Sequence, residues 1–355
     1  MRRSVRARVH PARDGTRLRT RPGRVRTLVV AIGALLVLGI ASGTAFARTS
    51  ATRLKSGIVV IKTTLAYQDG SAAGSGMVLT SSGEVLTNNH VIRGATTIKI
   101  VVPNTGRTYA ARVVGYDVAD DVAVLQAVGA SNMSTVTTTS SKLTVGAAVT
   151  AIGNAGGTGK LASATGVITR LRDSVVVSDD QGGAVRLTGM IGVNASVVPG
   201  DSGGPLMNSS GEVIGMDTAG SAGATFRSTA ATQAYAIPIT RALSIVKKVV
   251  AGTGSTRVHI GETAFMGVQV SAGFGGERSS GAAIAGVTPG GPAATAGLTP
   301  GDVVTAVNGS HVSSPSSLTS SLLTKKPGDS ITITYSDQSG AGHSVKLKLA
   351  SGPAQ

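Results

Sequence analysis

At 355 residues, 41% of them apolar, the chain is long enough to bury more than one core and is not a small stapled scaffold. It has no cysteine, which excludes disulfides, thiol nucleophiles and thiolate metal sites together, and with no tryptophan and 3% aromatics it has little on which to stack bases. More than half of the formal net charge of +16 sits in residues 1–27, which hold ten Arg against Asp14, so the remainder is only mildly basic and nucleic acid is not expected as a partner.

Residues 1–27 read as a basic cytoplasmic tail. Residues 28–47 contain no charged side chain and would span roughly 30 Å as a helix, enough to cross a bilayer with the Arg-rich side left in the cytoplasm. The segment is expected to be a membrane anchor. The alternative is a signal peptide cut after Ala47, because Ala45-Phe46-Ala47 resembles a small-x-small cleavage site. Either outcome exports everything after residue 48, so an extracytoplasmic location is expected.

A polar linker at 48–56 leads into short Val-, Ile- and Thr-rich runs broken by Gly, Ser and Asn. Strands are expected at 57–65, 76–80, 84–87, 97–102, 109–114, 122–127, 149–152, 164–169, 185–190 and 212–216, a density that suggests a barrel or sandwich pair. Ile239, Leu243, Val246 and Val250 then recur at helical spacing and close this domain, with Lys247 and Lys248 in the last turn. A break at 251–255 precedes a second unit of about 90 residues, with strands at 267–270, 282–287, 303–307, 331–335 and 345–349 and a helix around 316–323.

Chemistry concentrates at three places. In Pro199-Gly-Asp-Ser-Gly-Gly-Pro205, glycines surround Ser202 and allow torsions that a Cβ would resist, so that the N–H groups of Gly200 and Ser202 can converge into an oxyanion hole. His90, in Thr87-Asn-Asn-His-Val91, is the one histidine between residues 56 and 250, so a histidine base for Ser202 within this domain can only be this residue. An orienting carboxylate should fall between them if the order is that of the chymotrypsin fold. Of Asp117, Asp120 and Asp121, Asp121 is preferred because it directly precedes an apolar strand that can hold it at a buried edge; the other two read as loop residues. The five histidines show no metal-ligand spacing, and no metal or organic cofactor is expected.

With Gly74-Ser-Gly-Met-Val78, Thr87-Asn-Asn-His-Val91, Asp121-Val-Ala-Val-Leu-Gln126, Pro199 to Leu206 and Tyr235-Ala-Ile-Pro238, the chain resembles the HtrA/Deg family of serine proteases over roughly residues 57–350. The resemblance implies a mainly β fold: a chymotrypsin-like pair of perpendicular six-stranded barrels over 57–252, a linker at 253–262 and a small α+β PDZ domain over 263–351. Phe265, Met266, Gly267 and Val268 resemble the PDZ carboxylate-binding loop, and 291–302 its short helix and turn. By the same analogy Ser196 lines the base of the primary specificity pocket, which without an acid should prefer small or medium apolar side chains. Asp201 stands where many members carry Asn, and 193–198 departs from their usual pattern. A carboxylate at this position pairs with a newly cut amino terminus in activated digestive proteases, but no activation sequence is visible, and the role of Asp201 stays open.

The resemblance further implies unfolded or damaged exported proteins as substrates, peptide C-termini as PDZ ligands and, as in other members, a possible homo-trimer. A different class of reading is a catalytically silent exported PDZ scaffold. A protease that rests inactive is a third, with the Gly-, Ala- and Ser-rich segment 218–232 ordered by ligand.

Overall fold

The computed structural model describes residues 54–178, 184–218, 233–271 and 281–355. The expected anchor at 28–47 lies outside the described residues, as do 219–232 of the expected switch segment. No helix among the described residues is long and apolar enough to cross a membrane.

Strands β1 (Ile58–Leu65), β2 (Gly70–Val78), β3 (Glu84–Thr87), β4 (Thr97–Val101), β5 (Thr108–Asp117) and β6 (Val122–Ala127) build a first barrel in the order β5-β4-β1-β2-β3-β6, closed by β5 pairing with β6. A second closed barrel takes β7 (Ala148–Gly153), β8 (Ala162–Ser178), β9 (Ala184–Val193), β10 (Pro205–Asn208), β11 (Val213–Thr218) and β12 (Ala234–Pro238) in the order β10-β11-β12-β9-β8-β7. Closure leaves few exposed edges, and strands that also face the neighbouring barrel, such as β6, are buried on both faces. In β6, Ala123, Leu125 and Ala127 fill the first barrel, whereas Val122 and Val124 turn outward into a cluster shared with Ile152, Met190, Met207 and Met216 of the second. The near-continuous apolar run at 122–127 follows from this double burial.

One short helix, α1 (Asn89–Ile92), follows β3, and α2 (Ile239–Val250) seals the shared cluster with Ile239, Ala242, Ile245, Val246 and Val249. The stripe is offset from the expected one: Val250 is 56% exposed and Val249 is buried in its place, because a 3.6-residue period carries the buried face from 246 to 249.

Residues read as linker contribute a strand of their own. β13 (Val258–Ile260) pairs with β5, setting His259 opposite Tyr116. The buried His259 ring lies with Nδ1 2.7 Å from Leu323 O and Nε2 3.0 Å from Glu262 O. The ring is thus enclosed between two backbone carbonyls. His259→Ala should leave the two acceptors without this partner and open a cavity beside Tyr116, lowering unfolding stability by roughly 2–4 kcal/mol in chemical denaturation.

The C-terminal module contains β14 (Thr263–Phe265), β15 (Val268–Ser271), β16 (Ala282–Val287), α3 (Pro292–Thr295), β17 (Val303–Val307), β18 (Ser310–His311), α4 (Pro315–Leu323), β19 (Ser330–Ser336), β20 (Gly342–Lys348) and β21 (Ala350–Gly352). Its main sheet runs β15-β16-β17-β19-β20, with β18 paired to β17 and β14 paired separately to β21. Ser314 caps α4 through a reciprocal bond pair with Ser317. The module packs on the first barrel next to α1: Ala354 and Leu323 join that barrel's core cluster, Gly94 N–H donates to Ala354 O at 2.9 Å, and Asn89 Nδ2 donates to Gln355 O at 3.0 Å.

Candidate active site

Strand register brings His90 to Asp121. β3 and β6 run antiparallel with Thr87 opposite Ala123, so the chain leaving β3 passes residues 122 and 121 as it enters α1. Asn88 Nδ2 fixes this passage by donating to Asp121 O at 2.9 Å. Asp121 is in the left-handed region at φ 53, which Asp tolerates better than most side chains and which marks a conformation held by its surroundings. Its carboxylate holds His90 twice: Oδ1 accepts the His90 backbone N–H at 2.9 Å, and Oδ2 lies 2.8 Å from Nδ1. Thr218 Oγ1, from the end of β11, donates to the same Oδ2 at 3.3 Å. The pair is asymmetric in exposure, the side chain of His90 being 39% accessible and that of Asp121 10%, so the ring presents an edge to solvent while its partner is enclosed.

The other two aspartates are engaged elsewhere. Asp120 forms ion pairs with Arg241 at 2.9 Å and Arg257 at 3.0 Å. Asp117 ends β5, buried rather than in a loop, where it accepts the Asp120 amide at 2.9 Å; burial raises its carboxyl above the ordinary range.

Ser202 lies on the turn between β9 and β10, and that turn is pinned from the protein side by its carbonyls. Pro199 O accepts from Gly156 N, Gly200 O from Ser75 Oγ, Asp201 O from Gly204 N and Ser202 O from Ser75 N, each at 2.8 Å. Gly200 has φ 98, and a Cβ there would overlap the Asn154 carbonyl, so glycine is required at this point of the turn. Gly74 lies at the meeting of the turn and α1. A Cβ on it would stand 2.7 Å from the Val91 side chain and 3.2 Å from Ser202 O, which sets Ser202 beside the residue that follows His90.

Ser196 is exposed on the segment joining β9 to this turn, next to buried Ala195. Of the four loop residues expected to bind a peptide, Gly267 has φ 83 and its carbonyl accepts Thr288 N at 2.9 Å, while Val268 opens β15 half-buried. Met266 points into the core of its own module, and Phe265 stacks on Tyr67 of the first barrel with ring centroids 5.2 Å apart. Sequence reasoning did not single out Thr218 or Ser75. The Gly74-Ser-Gly motif was the one available signal for Ser75, and Thr218 carried none. Among the described residues no group of three or more His, Asp or Glu is gathered to hold a metal.

Comparison with known proteins agrees with this organisation. Residues 74–216 match the trypsin-like peptidase domain and residues 264–348 the PDZ domain. The chain is 32% identical over 315 residues to the serine protease PepD of Mycobacterium tuberculosis, aligning 84% of itself and 65% of that protein. It is 34% identical over 285 residues to a probable periplasmic serine protease do/HhoA-like of Haemophilus influenzae, covering 78% of itself and 58% of the relative. Over 262 residues it is 32% identical to the serine endoprotease DegS of the same organism, with 74% and 72% covered. It therefore spans less than two thirds of the first two relatives and more than two thirds of the third. With two barrels, a PDZ module behind them and these relatives, the chain belongs to the HtrA/Deg family of serine proteases.

Proposed function

We propose that the chain is a serine endopeptidase in which Ser202, His90 and Asp121 form the triad. The observation that carries this reading is the double hold of the Asp121 carboxylate on His90, beside a glycine-rich turn pinned by its own carbonyls. With Nδ1–H donated to Asp121, Nε2 of His90 is the base that takes the Ser202 proton as Oγ attacks a peptide carbonyl. The N–H groups of Gly200 and Ser202 hold the oxyanion, each worth about 3 kcal/mol in the transition state. His90 returns the proton to the leaving amine, and water then releases the acyl group by the same steps in reverse.

Substrates are unfolded or damaged exported proteins, entering a pocket based on Ser196 that takes small or medium apolar side chains. The loop from Phe265 to Val268 receives a peptide C-terminus along β15 and α4, with Gly267 and Val268 contributing backbone N–H groups and Phe265 and Met266 shaping the loop from behind. The periplasmic setting named for one relative, together with residues 28–47, supports an extracytoplasmic site of action on a membrane anchor, and a homo-trimer is the assembly in view. Labelling with a fluorophosphonate probe tests the core of this reading. Covalent capture by the wild type and none by Ser202→Ala is the expected result. Equal capture would place the reactive nucleophile elsewhere, and none by either would leave an exported peptide-binding scaffold.

A further inference from the structure

Two carboxyl groups beneath the nucleophile turn play no part in the triad. Asp201 lies inside the turn, between Gly200 and Ser202, and Asp217, on β11, has no exposed surface. Backbone bonds join them in two steps, since Gly204 N–H donates to Asp201 O and Asp217 N–H donates to Gly204 O, both at 2.8 Å. One oxygen of Asp201 accepts the Val198 amide at 3.0 Å. Its other oxygen and both oxygens of Asp217 are buried without a donor among the described residues.

The charged and titratable groups nearby face other partners. Asp121 and His90 lie on the Thr218 side of β11, opposite to the side Asp217 takes. Tyr235, across from Thr218 on β12, sits in the field of Asp173 and Arg170. Two ionised carboxylates in such a site would repel at low dielectric, with no cation among the described residues to offset them. Burial raises both carboxyls above the ordinary range, and for Asp217 the charge of Asp201 adds to the rise.

Resting on the hydrolase reading above, we propose that Asp217 retains its proton and donates it to the open oxygen of Asp201, so that the pair carries a single charge and braces the Gly200–Ser202 amides in position. Asp217 is thus a positioning residue that acts through Asp201. Its proton takes the place of the amino terminus that neutralises the equivalent carboxylate in activated digestive proteases. Loss of that proton puts a second negative charge against the turn and moves the oxyanion donors, so kcat should fall on the alkaline side while KM changes little.

Two measurements on the full chain test this. The infrared spectrum of the wild type at neutral pH should contain a protonated-carboxyl stretch that Asp217→Asn removes. The wild-type kcat should fall about tenfold per pH unit above the pKa of the pair. In Asp217→Asn, whose amide donates at every pH, that limb should vanish and activity persist into alkaline buffer. Absence of the infrared band, alkaline profiles that superimpose, or an Asp217→Asn variant inactive at all pH values would each overturn the proposal. If the wild type itself neither cleaves nor labels, the triad reading fails, and the infrared band still decides whether the two carboxyls share a proton.

Discussion

Changing His90 to Ala is expected to lower kcat by about 10⁶-fold on an unfolded protein substrate such as casein, with the melting temperature close to that of the wild type. The size follows from the ring's place in the proposed mechanism, since without Nε2 the base is lost and only oxyanion binding and proximity remain. The small effect on stability follows from the geometry. The ring is the more exposed partner, and in the variant Asp121 still accepts the backbone N–H of residue 90 and the Thr218 hydroxyl. A variant that kept more than about a hundredth of wild-type kcat would show that another group acts as the base.

The second large effect is expected from a change of one atom. Asp121→Asn should cost about 10⁴-fold in kcat, because it forces His90 into the wrong tautomer. Oδ1 of residue 121 must stay an acceptor to satisfy the His90 backbone N–H, so the new amide nitrogen takes the place of Oδ2 and points at Nδ1. Nδ1 then becomes the acceptor, the proton moves to Nε2, and the ring can no longer receive a proton from Ser202. Thr218 can rotate its hydroxyl to accept from the same amide, so the altered arrangement is internally satisfied. Steady-state kinetics with and without the substitution check the magnitude. Nitrogen NMR of the His90 ring checks the cause, by showing the proton on Nε2 in the variant.

The pair Asp201 and Asp217 also affects stability, with a sign set by the direction of its shift. A carboxyl whose folded pKa is raised binds its proton more tightly in the folded state, so the protein loses stability as pH rises from the ordinary carboxylate range through the raised value. Asp217→Asn removes this slope. Its melting temperature relative to the wild type should therefore be most improved in alkaline buffer and converge in strong acid, a trend differential scanning calorimetry can follow.

Much of the proposed catalytic layout was legible from local patterns. His90 stood out as the lone histidine of its domain, Ser202 by the glycines that its turn requires, and Asp121 by its place just before an apolar strand that the fold buries on both faces. The strands at 84–87, 122–127, 282–287 and 303–307 lie where alternation and turn residues set them. Less of the proposed peptide-binding loop could be read. Phe265 and Met266 were read only as part of a loop like the PDZ carboxylate-binding loop; that one stacks on Tyr67 and the other fills its own module's core is set by packing between distant segments.

The sequence by itself determined which residue types the chemistry has at its disposal and the turns that present them, because backbone torsions and strand alternation are local properties. Only the tertiary structure decided that Thr218 reaches Asp121, that Ser75 pins the Ser202 turn, and that Asp217 is tied through Gly204 to Asp201. Each of these contacts depends on barrel register, the outcome of side-chain burial summed over many strands, and a shift of one residue would turn the same side chain to the opposite face.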